Sequence, residues 1–351
     1  MRALDIFCGA GGSSAGAAAA GAIVVGGVDL DEVAIKTFAN NFPDAVAVQG
    51  RLEQIDRRAL RRQVGKVDLL LASPECTNHT CAKGSAPRSE DSRATAMMAV
   101  TYAREFSPEW VVLENVIHMR PWSRYGELKN EFLELGYSHQ ELVLEASDFG
   151  VPQKRKRLFL VCRKGQQPQL SLRKRPGRKP TIAAVLDPKG KWPTNLLHSP
   201  TRARATLDRA GRAEKSIGPN REYLIVYYGT DGCGGWQTLD RPLRTITTVD
   251  RFALVSPSID GKVIRMLQVP ELRRAMGFPD EFKLDHGTRR DKIRLLGNAV
   301  CPPVMQSIVT EIMKKEKTSR DRKLFSLNIQ DAGSRDVSRN ATDELHEKRF
   351  A

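Results

Sequence analysis

Short apolar runs, each followed by a stretch with helical spacing, dominate the first half of the chain. They are Arg2–Phe7 (RALDIF), Ile23–Val28, Ala45–Val48, Val67–Ala72 (VDLLLA) and Glu109–Leu113 (EWVVL). Runs this short are the right length for buried strands and too short for helices. Ser13–Ala22, Asp31–Asn41 and Ala94–Phe106 lie between them and read as helices. Alternation of this kind predicts an α/β fold, a parallel sheet with helices on both faces. Arg157–Cys162 (RLFLVC) reads as a further strand.

The pattern changes after about residue 150. Arg163–Pro180 holds seven Lys or Arg, three Pro and two Gly. It reads as an exposed basic linker or loop. From about 181 to 285 the chain is turn-rich, with short β-like runs such as Tyr223–Tyr228. Helical spacing returns at Val304–Lys314, and a charged tail, expected to be mobile, follows from Lys315 with one apolar run at Leu324–Ile329.

The chain is 351 residues long, enough for one large or two modest domains, and 40% hydrophobic, enough to fill a core. It has 56 Lys and Arg against 41 Asp and Glu, a formal charge of +15. That surplus points to a polyanionic partner, nucleic acid first, against the plainer reading of a basic solvated surface. Ala15–Val25 is too short and too rich in Ala and Gly to span a bilayer. Asp5 interrupts the place where a signal peptide would be apolar. The six cysteines, Cys8, Cys76, Cys81, Cys162, Cys233 and Cys301, are sparse and read as reduced thiols in a cytoplasmic protein.

The first strand runs into FCGAGGSS, Phe7 to Ser14. Gly9, Gly11 and Gly12 let the backbone turn tightly and approach a ligand. Asp29 ends the second strand, 20 residues after Gly9. An acid there can accept hydrogen bonds from ribose hydroxyls, so turn and acid together read as a nucleoside crevice. The plainer reading is a tight corner.

The fourth strand ends in LLLASPECTNHT, which places Cys76 just past the edge where open α/β sheets bind ligands. Most free cysteines are small buried hydrophobes. Here Glu75, Thr77, Asn78 and His79 surround the thiol with polar groups. Cys76, His79 and Cys81 lack the second cluster that a zinc site needs, so no metal is expected. Glu114 and Asn115 close the next strand, and VPQKRK puts Arg155 and Arg157 on one face if the segment is extended. A thiol, a carboxylic acid and an arginine beside a nucleoside crevice suit attack on an electron-poor heterocycle. A thiolate adds to carbon 6 of a pyrimidine, the acid supports charge at N3, and arginine holds O2. Carbon 5 then accepts a one-carbon group from a sulfonium donor.

These residues resemble the DNA (cytosine-5) methyltransferase family of bacteria and phages, in the family's motif order over about residues 1 to 313. FCGAGG resembles its S-adenosyl-L-methionine motif, VDLDE the ribose-binding motif, SPEC the nucleophile motif and ENV the glutamate motif. QKRKR resembles its paired arginines, RPLRTITT (Arg241–Thr248) the motif closing the recognition domain, and GNAVCPPV (Gly297–Val304) the last motif. The resemblance implies a Rossmann-like catalytic domain, 1–162 plus 288–313, and a smaller β-rich target-recognition domain, 163–287, with 314–351 as the tail. It implies Cys76, Glu114, Arg155 and Arg157 as catalytic residues, with Arg157 holding the cytosine. It implies a cofactor pocket of Phe7, Gly9, Gly11, Gly12, Asp29, Leu30, Arg51, Leu52 and Asn298. Double-stranded DNA with a flipped-out cytosine is the implied substrate. A cognate restriction endonuclease system is a possible partner, and a monomer is the expected state.

The sequence departs from the family pattern in places. Glu75 and Thr77 flank Cys76 where the family has Pro and Gln, and a carboxylate beside a thiol raises its pKa. Leu30 replaces an aromatic ring expected on adenine, and Arg51 an aspartate expected at its amino group. The alternatives left open are a tRNA substrate, a modified donor or base, and a catalytically inactive DNA-binding homologue.

Overall fold

The computed structural model describes residues 1–75, 89–90, 94–228 and 234–318. Cys76, Thr77, His79, Cys81 and the Leu324–Ile329 run lie outside the described residues.

Seven strands form the first sheet: β1 (Arg2–Ile6), β2 (Ile23–Asp29), β3 (Val46–Gln49), β4 (Leu69–Ala72), β5 (Trp110–Asn115), β6 (Tyr137–Glu145) and β7 (Lys156–Lys164). Their order is β3-β2-β1-β4-β5-β7-β6. The first five are parallel. β7 runs antiparallel to β5, and β6 antiparallel to β7, so the sheet is mixed and not parallel throughout. The reason is the connection: β6 turns into β7 without a crossover helix, so the chain must reverse. β6 escapes a search for apolar runs because its YSHQELVLE pattern is mostly half-buried, the signature of an edge strand.

Residues alternate across the central strands and build a core on each face. Leu69 and Leu71 pack on one side with α1 (Gly12–Ala19) and α9, the helix over 302–318. Leu70 and Ala72 pack on the other with α3 (Arg57–Val64), α4 (Met98–Phe106) and α5 (Tyr125–Glu134). Each fully buried leucine stabilises the fold by about 1.5–3 kcal/mol. α2 (Glu32–Asn41) is capped by Asp31, whose side chain accepts from the Ala34 amide.

The second sheet is antiparallel: β8 (Asn195–Leu196), β9 (Tyr223–Val226), β10 (Trp236–Thr238), β11 (Phe252–Ser258) and β12 (Gly261–Met266), in the order β10-β9-β11-β12-β8. α6 (Arg204–Ile217) covers one face through Ala210 and Ala213 against Tyr223, Ile225, Ala253 and Val255. The other face, Leu224, Val226, Phe252 and Leu254, joins the core that α9 shares with the first sheet. α7 (Val269–Ala275) and α8 (Arg289–Asn298) complete that core with Leu272 and Leu296. No helix among the described residues is long and apolar enough to cross a membrane.

Two expectations need correction here. Arg163 does not open an exposed linker: it is a β7 residue, 6% exposed, with its guanidinium 4.9 Å from the Trp110 ring centroid and 3.0 Å from Glu316. Glu316 also accepts from Trp110 Nε1 at 2.9 Å. α9 therefore continues to residue 318, where the charged composition had pointed to a mobile tail from Lys315. Burial of an arginine against an aromatic face and a carboxylate overrides the local count of charges.

Candidate active site

β1 ends at Ile6, and Phe7 enters the glycine-rich turn with φ 57°, a backbone region that side chains rarely adopt. Gly9 follows with φ 53°, and a Cβ placed on it would meet nothing within 4 Å. The turn is thus open to a ligand on that side. At Gly12 the reverse holds: a Cβ would lie 2.4 Å from the Val300 carbonyl oxygen, so only glycine lets α1 approach the segment after α8.

Asp29, the last residue of β2, organises the turn. Its Oδ2 accepts from the Gly9 amide at 2.8 Å and its Oδ1 from the Asp31 amide at 2.9 Å. Burial raises its pKa against those bonds. A carboxylate has about four acceptor positions, so two amides leave room for two hydroxyl donors. Leu30 beside it is 53% exposed, Leu52 is 3% exposed, and Arg51 and Asn298 are exposed.

Asp5 lies in the middle of the apolar β1 run and is fully buried. Its Oδ2 accepts from Ser14 Oγ at 2.6 Å, while Oδ1 has no hydrogen-bond partner. Burial pushes its pKa to about 7, against the Ser14 bond, with the nearby Asp29 charge adding to the rise. A carboxyl raised in this way holds its proton in the native state and not in the unfolded chain. Stability therefore falls as pH rises between the ordinary value of 3.8 and about 7. Asp5→Asn keeps an acceptor for Ser14 and removes the ionisation. It is expected to gain on the order of a few kcal/mol over the parent at pH 8, and little at pH 4, in denaturant titrations. Equal pH profiles for the two proteins would contradict this.

At the same sheet edge Ser73, Pro74 and Glu75 follow β4. Ser13 and Ser73 hydroxyls lie 3.4 Å apart. Asn115 Nδ2 donates to the Pro74 carbonyl at 3.2 Å and fixes the start of the segment that leads to Cys76.

Glu114 sits beside this latch, 5% exposed. Arg157 Nε approaches its Oε1 at 3.1 Å. Burial raises the Glu114 pKa, Arg157 and Arg155 pull it down, and burial prevails. The antiparallel β7 brings this about: Glu114 pairs with Phe159, so the start of β7 lies at the edge where β5 ends.

Arg155 goes elsewhere. It is 3% exposed, and its guanidinium donates to the carbonyls of Ile246 (3.0 Å), Gly297 (2.8 Å) and Ala299 (3.0 Å). Gln153, fully buried, accepts from the Ile246 amide at 3.0 Å and donates to the Ala275 carbonyl at 3.3 Å. A Cβ on Gly297 would lie 2.4 Å from Thr247 backbone. The Arg241–Thr248 and Gly297–Val304 segments are therefore clasped together by the residues leading into β7. Alternation along an extended segment does not reveal this use of Arg155. Gln153 and Asp5 were missed as site residues, although a carboxylate inside an apolar strand was a signal for the second.

The structure thus brings the glycine turn, Asp29, Pro74, Glu114 and Arg157 to one edge of the sheet. The family described as C-5 cytosine-specific DNA methylase matches residues 1–314. The Type II methyltransferase M.AgeI of Thalassovita gelatinovora is 30% identical over 170 residues, which cover 46% of this chain and 39% of that protein. The Type II methyltransferase M.HindV of Haemophilus influenzae is 26% identical over 333 residues, 90% of this chain and 98% of that one. The structure of the Entamoeba histolytica methyltransferase EhMeth superposes with a TM-score of 0.65 at 18% identity, over 90% of this chain and 98% of that chain. With the family match running from Met1 to Lys314, the chain belongs to the C-5 cytosine-specific DNA methylases.

Proposed function

We propose that the protein methylates carbon 5 of cytosine in double-stranded DNA, with S-adenosylmethionine as donor. The observation that carries this is Glu114: a buried carboxyl biased toward its protonated form, paired with Arg157, beside the latch that fixes the Cys76 segment.

The residues fit the donor. Gly9 leaves open space, Asp29 keeps acceptor capacity for ribose hydroxyls, and Phe7 and Leu30 offer apolar surface for a base, with Leu52 buried in the core. Arg51 and Asn298 are exposed and so free to reach a ligand. When bound, S-adenosylmethionine supplies an electrophilic methyl group on a sulfonium sulfur.

Cys76, as thiolate, forms a bond to carbon 6 of the flipped cytosine. Glu114 donates a proton at N3, and Arg157 holds the O2 carbonyl, so the electron pair displaced from the C5–C6 bond collects at carbon 5. After carbon 5 has taken the methyl group its proton leaves to solvent, the C6–Sγ bond breaks, the thiolate returns and the N3 proton goes back to Glu114. Arg155 positions the loop bearing Asn298 and does not touch the base.

Arg157→Ala separates these roles. Turnover is expected to fall on the order of 10²–10³-fold, because the charge and hydrogen bond act on the reacting base. Calorimetric affinity for S-adenosylmethionine should stay within about a factor of two. Loss of cofactor binding with turnover per bound complex unchanged would contradict the assignment.

A further inference from the structure

A second basic surface lies outside the candidate site. It is a groove of about 660 Å³ lined by Arg175, Arg178 and Arg274, with walls that include Pro152, Pro279 and Pro303. No residue assigned to catalysis or to the cofactor lines it.

Two of its arginines come from the Arg163–Pro180 stretch, whose basic residues have separate fates. Arg163 is spent on Glu316, and Lys164 on the Ser107 hydroxyl. Lys174 and Lys179 both hold Asp148, at 2.9 and 2.6 Å, and keep its carboxyl below the usual range. Arg175 and Arg178 form no ion pair among the described residues, and both are exposed.

The position of Arg175 is built, not incidental. Its amide donates to the Asp148 carbonyl at 2.8 Å. Its guanidinium lies so close to Gly150 that a Cβ there would sit 2.6 Å from Nη1. Gly150 has φ 84°, so a side chain would be strained as well as in the way. Across the groove Arg274 is fixed by Val185 and Asp187, and the one acid in the lining, Asp280, is neutralised by Arg273 at 2.6 Å.

We infer that this groove holds the phosphodiester backbone of duplex flanking the target site. An open, proline-walled surface with fixed guanidinium groups and a neutralised acid suits phosphate, which arginine engages through two donors at once. In sequence the groove adjoins the clasp, since Pro152 precedes Gln153 and Pro303 follows the Asn298–Cys301 segment. DNA is chosen over an acidic polypeptide because the inference rests on the proposed substrate, a duplex longer than the target base pair.

The test is the salt dependence of binding to mixed-sequence DNA. Two probes are compared: a duplex just long enough to be methylated, and one extended by several helical turns on each side. Each phosphate contact adds about 0.9 to the slope of log affinity against log salt. For the Arg175→Ala/Arg178→Ala protein the slope on the long duplex should fall by about 2 relative to the parent. On the short duplex, slope and methyl transfer should match the parent. Lys66→Ala, which removes one positive charge at an exposed residue before β4, should leave both slopes at the parent value. Should the double variant fold poorly, Arg178→Gln alone should lower the long-duplex slope by about 1. An unchanged slope on the long duplex overturns the inference and leaves an acidic polypeptide as the better occupant. Methyl transfer by the parent to the short duplex reports on the substrate reading itself, so the two failures are distinguishable.

Discussion

Alanine at Cys76 is expected to abolish methyl transfer, by at least about 10⁴-fold, with DNA affinity largely kept. Among the described residues the free thiols are Cys8, Cys162 and Cys301, all buried. Burial pushes the Cys301 thiol up to about 11, and those of Cys8 and Cys162 well above the ordinary range. None is poised as a thiolate near neutral pH. The measurement is single-turnover transfer beside equilibrium DNA binding. Residual turnover near the parent level would mean that carbon 5 is activated without covalent attack.

Arg155→Ala is expected to be the most destabilising substitution at the site, by about 3 kcal/mol or more. It strips three buried carbonyls of their donor, and each unsatisfied buried group costs about 1–3 kcal/mol. The clasp joins the segment between β10 and β11, at Ile246, to the segment after α8 that lies against Gly12. Loosening it should therefore weaken S-adenosylmethionine binding as well as stability. Arg157→Ala should do neither to a comparable extent. Chemical denaturation and calorimetry on the two variants check the contrast. Equal stability losses in both would show that Arg155 does not hold the clasp.

β1, β2, β4 and β5 were legible because burial on both faces writes a nearly continuous apolar run, as in Leu69–Ala72 and Trp110–Asn115. β6 was not, because an edge strand needs no such run. The glycine turn and Asp29 were legible for a local reason: backbone conformation and a fixed spacing demand those residue types. The Asp29 carboxylate reaches back to the Gly9 amide across that interval. Arg155 and Arg157 look equivalent in sequence, two residues apart on one strand. Only the fold separates them, since the carbonyls that receive Arg155 lie about 90 and 140 residues away. The Arg163 contact with Glu316 is hidden for the same reason, being a pairing over 153 residues.

The central claim is tested most directly by incubating the protein with radiolabelled S-adenosylmethionine and mixed-sequence duplex DNA, with tRNA alongside. Nucleoside mass spectrometry then identifies the product. The account predicts 5-methylcytosine in the DNA and none in the tRNA. Label in tRNA alone, or no label in either from folded protein that binds DNA, would contradict it.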